Sequence, residues 1–410
     1  MHTSEVATHP AHGPVLGERD RRRGSDADSA VFAGVLAVLL ATGWSANHFA
    51  ALIPAISTHQ RLSAATLDAI FGVYAVGLLP GLLIGGRLSD AWGRRPLAWA
   101  GSAVATAGTM VMLFSQQSGA LLTGRLIVGV GVGLAVSACT AWASDLRGPA
   151  GAAIAGAVLT AGFAVGPFAA GLIASAGQSG VAMSFGVAAA LVVVATAVAA
   201  VAVRRSTAIP PTSVRDGQQA ATGQSSARAL SWAIPLAPWV FASATLAFVT
   251  IPTRVHTGLP APVAAGTAAL IVNGVSGLIQ VVARARRWGP QAGTAGALLA
   301  AIGYAVTAAA PSTMTLTFGL PLLLVLGCAY GLCLREGLID LEATAPQRVR
   351  GTLTGAFYAV TYIGFGLPLL LTVVDSPTIS ATILAVLAVL AAATTVSRAA
   401  RLHRDSHRRH

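Results

Sequence analysis

The residues best placed to do chemistry in this chain are charged side chains inside otherwise apolar stretches. Arg335 and Glu336 are adjacent, and Asp340 follows Glu336 by one helical turn. Charges this deep in an apolar helix are costly against lipid, so we expect them to face the protein interior or a water-filled cavity. Glu336 could bind and release a proton, with Arg335 changing its proton affinity. The alternative is a structural ion pair that closes one end of a helix bundle, with Arg348 or Arg350 as a further partner.

Two further polar groups interrupt apolar stretches. Trp44, Asn47 and His48 follow the i, i+3, i+4 spacing that places side chains on one face of a helix. Because imidazole titrates near neutral pH, His48 is a candidate proton carrier; a histidine bonded to its helical neighbours is the alternative. Arg125 lies where an unpaired charge costs about 2.5 kcal/mol or more. It is either a functional charge or an arginine that extends to the polar surface.

The sequence contains no arrangement typical of catalysis. There is no phosphate-binding loop, no pair of metal ligands and no nucleophile beside a base. The three cysteines lie in apolar stretches, and their spacing suggests neither disulfides nor a metal site. These observations disfavour an enzyme and an ATP-driven pump, and we expect no cofactor and no metal.

The elements that carry these residues are long and apolar. The 410 residues are 55% hydrophobic and 10% charged, with a mean hydropathy of +0.72, whereas soluble domains carry about 25% charged residues. A membrane-spanning helix needs about 20 apolar residues. Twelve segments meet this requirement and predict twelve transmembrane helices: 30–56, 65–87, 96–115, 119–143, 149–175, 181–203, 230–251, 260–284, 290–310, 315–342, 350–373 and 377–399.

The arginines predict the orientation of these helices. All 26 basic residues are arginines. With a cytoplasmic N-terminus, 22 of them lie in cytoplasmic loops and tails, and only Arg61 and Arg254 lie in outer loops. This pattern predicts a multi-pass protein of the plasma membrane with both termini in the cytoplasm. The net charge of +12 therefore reflects topology and does not predict a nucleic-acid partner.

Polar segments divide the chain into two halves. Residues 1–29 are expected to be a disordered cytoplasmic tail, not a targeting peptide, because no cleavage site is evident. The stretch 205–229, rich in Pro, Ser, Thr, Gln and Gly, is expected to be a flexible cytoplasmic linker. It separates six helices in 30–204 from six in 230–399, and residues 400–410 form a basic cytoplasmic tail.

The turn between the second and third predicted helices carries the most specific motif. Residues 86–96 read Gly-Arg-Leu-Ser-Asp-Ala-Trp-Gly-Arg-Arg-Pro. This pattern resembles the helix 2–3 loop of the major facilitator superfamily, which implies an all-α membrane protein with twelve helices in two pseudo-symmetric six-helix bundles. The motif residues in this chain are Gly86, Asp90, Gly93, Arg94 and Arg95.

The resemblance implies specific contacts for this turn. Asp90 would lie at the N-terminal end of helix 11, near Arg350 and Gly351, where a helix dipole favours negative charge. Arg94 would pair with Asp145 at the cytoplasmic end of helix 4. Such contacts would latch the two halves in one conformation. The alternative is that the charges only keep the loop in the cytoplasm.

Two more segments resemble superfamily motifs. Helix 4 carries Arg125 followed by close-set glycines, and in proton-coupled members the matching arginine is associated with proton transfer. Helix 5 resembles the motif of antiporters, which favours export; its residues are Gly162, Gly166, Pro167 and Gly171, with Ala170 and Ala153 replacing two glycines. Small-residue packing is the alternative for helix 5.

The two halves show signs of an internal repeat. Trp92-Gly93 aligns with Trp288-Gly289 at an offset of 196 residues, in equivalent turns. The second copy lacks the acid, since Arg286 stands where Asp90 would be.

Trp44 and Asn47 are candidates for lining a central cavity. Weaker candidates are two pairs of side chains, each on one helix face. They are Asn273 with Gln280, and Tyr358 with Tyr362. Packing between helices is the alternative for both pairs. Asp68 and Arg61 are expected to form at most a surface pair.

The resemblance implies a transporter similar to the drug/proton antiporters of the superfamily. We therefore expect proton-coupled efflux of a small compound by alternating access. A cavity poor in embedded charge suits an apolar or amphipathic substrate better than a strongly ionic one. Uptake of a metabolite by symport or facilitated diffusion is the alternative, and a non-transporting membrane sensor on the same fold is a third. The expected partners are the substrate, protons and the lipid bilayer, and the expected oligomeric state is a monomer.

Overall fold

Long apolar helices dominate the computed structural model, which describes residues 15–206, 225–346 and 349–407. Twelve helices in these ranges are long and apolar enough to cross a membrane, which confirms the predicted fold class. We label them α1 (Asp28–Gln60), α2 (Ala64–Trp92), α3 (Arg94–Phe114), α4 (Ser118–Gly148), α5 (Ala150–Ala174), α6 (Gln178–Arg205), α7 (Ser226–Thr253), α8 (Ala261–Ala285), α9 (Gln291–Ala309), α10 (Leu316–Thr344), α11 (Thr352–Val374) and α12 (Pro377–Asp405).

The helices at both ends of the chain extend beyond the predicted spans. The first helix begins at Val15, inside the tail that is expected to be disordered, while residues 1–14 lie outside the described ranges. The last helix continues to His407, through most of the predicted tail. A helix that has already nucleated extends easily into flanking residues, and Arg and Glu are good helix formers. Of the predicted linker 205–229, residues 207–224 lie outside the description.

Three helices are interrupted within the membrane. The ladder of α1 breaks at His48, between helical segments that end at Asn47 and begin at Phe49. In α7, 3₁₀ turns at Ile234–Leu236 and Ile251–Thr253 flank a π segment, and each turn contains a proline. In α11, a 3₁₀ turn occupies Gly364–Gly366. Proline lacks a backbone donor, and such breaks are tolerated where neighbouring helices satisfy the freed groups.

Glycines set the packing in both bundles in the same way. In the first, Gly129 and Gly133 of α4 lie against the backbone of α2. In the second, Gly327 and Gly331 of α10 lie against α8 in the corresponding positions. Small residues allow helices to approach this closely. The repeat seen in the sequence therefore recurs as a repeated helix contact.

The two bundles meet along two seams. On one, Gly171 of α5 abuts the Pro262 carbonyl of α8, and Gly266 of α8 abuts the Pro167 carbonyl of α5. On the other, α2 packs against α11. At the end of the second bundle near the α7–α8 turn, the strands β1 (Val255–His256) and β2 (Met314–Thr315) pair in parallel and join two loops.

Candidate functional site

The turn between α2 and α3 gathers three charges into the cluster that we call the first-bundle cluster: Asp90, Arg94 and Asp145. The α2 helix ends where Gly93 adopts φ +94°, a conformation that favours glycine. This turn places the Arg94 side chain beside the ends of α2 and α4. Its Nε donates to Asp145 at 2.8 Å, and one Nη donates to Asp90 at 2.5 Å and lies 3.1 Å from Ser89 Oγ. The cluster therefore ties α2, α3 and α4 together at one end.

The contact between Arg94 and Asp145 is the one that the resemblance implies, and its role as a latch stays a prediction. Arg95 adds a cation–π contact, 5.8 Å from the ring centre of Trp142 on α4. Gly86 faces open space. The expected approach of Asp90 to Arg350 and Gly351 involves side chains outside the description.

Arg125 lies fully buried at the centre of the first bundle. One Nη donates to the Ala46 carbonyl at 2.9 Å, which is available because the α1 ladder is broken nearby. The guanidinium also lies over the rings of Tyr74 and Phe49, at 4.4 and 4.9 Å. No acid pairs with it in the described part of the chain. Since the side chain is inaccessible, the alternative of an arginine extending to the surface is excluded.

His48 lies at the break in α1, also fully buried. Its Nδ1 is 2.9 Å from the Ser45 carbonyl, and Phe185 packs edge-on against the ring. Its Nε2 has no hydrogen-bond partner among the described residues. The alternative of a histidine bonded to its helical neighbours therefore holds for one ring nitrogen only.

The other residues on the polar face of α1 serve contacts with α5. Asn47 donates to the Phe163 carbonyl at 2.9 Å. Gly162 and Gly166 lie against the α1 backbone near Gly43 and Trp44. The helix 5 motif thus packs against α1 through its first glycines and, as described above, against α8 through its last. These contacts agree with the small-residue packing alternative.

A second group of charges, the second-bundle cluster, lies at the same end as the first: Arg335, Glu336, Asp340 and Arg398. Arg335 pairs with the buried Glu336. Arg398 of α12 donates to Asp340 at 2.9 Å and to the Trp232 carbonyl of α7 at 2.7 Å. It also reaches toward the Pro290 carbonyl at 3.5 Å. The cluster joins the ends of α7, α9, α10 and α12.

The opposite end of the molecule holds a contact that sequence reasoning missed. Asp68 of α2 does not lie on the surface: it is 7% exposed, and its Oδ2 lies 2.6 Å from the hydroxyl oxygen of Thr372 on α11. One turn deeper, Phe71 stacks on Phe365 with ring centres 5.2 Å apart. The two bundles are thus closed against each other at this end.

The chain matches one family model over most of its length. The model described as the Major Facilitator Superfamily matches residues 33–369. The chain belongs to the major facilitator superfamily.

Curated relatives match this superfamily member over short segments. Multidrug resistance protein MdtL of Citrobacter koseri is 33% identical over 81 residues, 20% of this chain and 21% of that protein. Solute carrier family 2, facilitated glucose transporter member 10 of Mus musculus is 34% identical over 99 residues, 24% of this chain and 18% of that protein. The chain thus matches about one fifth of the length of these relatives.

Solved structures match over nearly the whole fold. A peptide transporter POT in complex with sulfate has a TM-score of 0.75 at 14% identity, covering 91% of this chain and 94% of that one. The POT family transporter PepTSo has a TM-score of 0.72 at 14% identity, covering 92% and 98%. At this identity the likeness establishes the fold alone.

In this superfamily member, a row of aromatic rings from α7, α10 and α11 lies between the two ends of the molecule. Phe241 of α7 lies 4.6 Å from Tyr362 and 5.7 Å from Tyr330, and Phe365 lies 5.4 Å from Tyr362, between ring centres. Tyr358 continues the row at 6.3 Å from Tyr362. Phe241, Tyr358 and Tyr362 are half-buried, so this aromatic row is partly accessible.

The amides proposed to line the cavity bond within their own helix. Asn273 is buried and donates to the Ala269 carbonyl. Gln280 is half-buried and lies 3.4 Å from Ser276 Oγ. Of the six cavity candidates, the two tyrosines are therefore the ones that join the aromatic row.

Proposed function

We propose that this protein exports a small apolar or amphipathic compound in exchange for protons. The observation that carries the proposal is the half-buried aromatic row of Phe241, Tyr358 and Tyr362 at the level where the bundles meet. Aromatic side chains with hydroxyl groups suit ligands that combine apolar area with a polar group. Superfamily bundles rock about such a midplane site, which exposes it alternately to each side.

The buried ionisable groups supply candidates for proton coupling. His48 has an unpartnered Nε2, and Glu336 is paired with Arg335 inside the second bundle. Arg125 is a fixed positive charge near His48 that would oppose protonation of the imidazole. We propose His48, Arg125, Arg335 and Glu336 as the coupling residues.

The proposed orientation places the two charge clusters in the cytoplasm. It follows from the arginine distribution, and it places both termini on the cytoplasmic side of the plasma membrane. The end that carries Asp68 and Thr372 is then the outer end. We further propose that the protein transports as a monomer, because the two six-helix bundles of one chain enclose the whole site.

Transport into inside-out vesicles with an imposed pH gradient tests the proposal. A panel of lipophilic compounds should accumulate, and an uncoupler should abolish the accumulation. The double variant Glu336→Gln, His48→Ala should lose gradient-driven accumulation. The matched control is Glu342→Gln, His59→Ala, which changes exposed residues on the same two helices and should behave as the parent.

Two outcomes would overturn parts of this proposal. Accumulation that ignores the uncoupler would refute proton coupling. Accumulation that persists in the Glu336→Gln, His48→Ala variant would refute the coupling residues.

Uptake of a metabolite is the second candidate function. It is favoured by the match to a facilitated glucose transporter over 99 residues. Right-side-out vesicles distinguish the two: an importer accumulates its substrate there, whereas an exporter of the proposed kind excludes it when the outside is acidic.

A further inference from the structure

A single carboxyl group bridges the two bundles at the proposed outer end. Among the acids whose contacts the structure describes, Asp68 is the one that hydrogen-bonds across the seam, to Thr372. It is almost inaccessible to solvent. A rocking motion that opens this end must separate the two side chains and expose Asp68 to water.

The geometry around Thr372 indicates which form of Asp68 is present in the closed seam. The hydroxyl oxygen lies 2.6 Å from Asp68 Oδ2 and 2.9 Å from the Pro368 carbonyl oxygen. A threonine hydroxyl carries one proton, so it can donate fully to only one of these two oxygens. Both contacts become good hydrogen bonds if Asp68 is the neutral acid, which donates to Thr372 while Thr372 donates to Pro368.

The surrounding charges do not compensate an ionised Asp68. The titratable or charged groups on the elements packed around this end include His48 and His59 on α1 and Tyr74 on α2. The others are Arg61 beyond α1, Arg125 on α4, Arg254 and His256 beyond α7, and Asp375 at the end of α11. The described hydrogen bonds and ion pairs of Asp68 include none of them. Arg125 is engaged by the Ala46 and Phe71 carbonyls, and Arg61 and Asp375 are exposed. Burying an uncompensated carboxylate is costly, whereas a neutral, hydrogen-bonded acid is tolerated.

We propose that Asp68 binds a proton from the outer side and that the outer gate closes only on its neutral form. When the gate is open, water hydrates Asp68 and it ionises according to the external pH. Protonation then permits the Asp68–Thr372 contact and the Phe71–Phe365 stack to re-form. This inference deepens the proposed function and rests on its orientation, but it requires no path from Asp68 to the cytoplasm.

Distances between the outer ends of the bundles test the proposal without measuring transport. The full-length protein, with its three cysteines replaced, carries nitroxide labels at Ser118 and Ser312, which are exposed on the first and second bundle. Double electron–electron resonance measures the distance between the two labels in nanodiscs of fixed lipid composition, from about pH 5 to about pH 8. We expect the short-distance, closed population to grow as the pH falls.

Variants assign the pH response to Asp68. Asp68→Asn keeps the shape and a donor but cannot ionise, so it should stay closed at every pH. Thr372→Val should still respond, with its midpoint lower by about one pH unit, because the closed state loses one hydrogen bond. Asp375→Asn, the matched control at the same end, should respond as the parent does.

Three results would overturn the proposal. They are a parent protein whose distances ignore pH, an Asp68→Asn variant that retains the parental response, and an Asp375→Asn variant that loses it. The test is independent of the vesicle assay. A gate that follows pH through Asp68 in a protein that transports no compound would refute the proposed function and still support this inference.

Discussion

The two bundles carry charge clusters at the same end, but they bury them to different degrees. In the first bundle, Arg94, Asp90 and Asp145 have side chains that are 27%, 71% and 42% exposed. In the second bundle, Arg398 and Asp340 are 2% and 13% exposed, and Glu336 is 2% exposed. A repeated architecture thus holds one cluster in contact with solvent and the other inside the protein.

Burial decides which cluster can rearrange during a transport cycle. An ion pair at the surface stabilises by about 0.2–1 kcal/mol, because water replaces the partner when the pair separates. Removing one partner of a buried pair costs about 3–5 kcal/mol, because the other charge stays uncompensated. We therefore expect the first-bundle cluster to open and close, and the buried Asp340–Arg398 pair to hold α7, α9, α10 and α12 together.

The largest expected effect comes from breaking the buried pair. Asp340→Ala should destabilise the protein by about 3–5 kcal/mol, because Arg398 loses its carboxylate in a dry site. Thermal unfolding in detergent, followed by tryptophan fluorescence, measures the loss as a lower midpoint.

A double variant controls for the removal of the side chain itself. Asp340→Leu with Arg398→Met removes both charges and should recover most of the lost stability. If Asp340→Ala unfolds at the parental temperature, the second-bundle cluster does not hold its helices together, and the contrast between the bundles fails.

The sequence allowed the fold and one contact of the first-bundle cluster to be predicted, and physical reasons explain why. Twelve apolar segments can satisfy their backbone in a bilayer only as helices, so their number is readable from composition. Arg94 lies in a motif whose resemblance to a family implies its contact with Asp145. Each signal is local or tied to a known pattern.

The second-bundle cluster and the outer seam were not predictable in the same way. Arg398 looked like one more arginine near the chain end, and Asp68 looked like a surface acid. Their partners, Asp340 and Thr372, are 58 and 304 residues away in the sequence. Only the packing of α10 and α12 on α9, and of α2 on α11, brings them together.

Arg125 shows a further limit of sequence reasoning. Its position inside a span was evident, but its partner is the carbonyl of Ala46 at a break in α1. Backbone acceptors leave no mark in the side-chain pattern. The residue type revealed a costly charge and could not reveal how the protein satisfies it.

The intermediate effect tests whether the exposed cluster is a latch. Asp90→Asn should change the stability by less than about 1 kcal/mol, because its carboxylate is largely hydrated. Transport should nevertheless slow, by up to about fivefold, since the same small energy biases the equilibrium between conformations. The vesicle assay and the unfolding midpoint, measured on the same preparation, separate the two quantities.

Asp145→Asn provides the matched comparison within the first bundle. It removes the other carboxylate of Arg94 and should also slow transport with little loss of stability. Normal transport in both variants, with protein present in the membrane, would count against a latch.

The smallest expected effect concerns the missing acid of the repeat. Arg286→Asp restores a carboxylate at the position that corresponds to Asp90. The position that corresponds to Arg94 is Pro290, which cannot pair with this carboxylate. The substituted side chain is exposed, so stability should change by no more than about 0.5 kcal/mol, and transport should match the parent. A loss of transport like that of Asp90→Asn would mean that the second turn also takes part in the conformational change. Both turns would then rearrange during the transport cycle, and the burial of the charge clusters would not be enough to tell which bundle end moves.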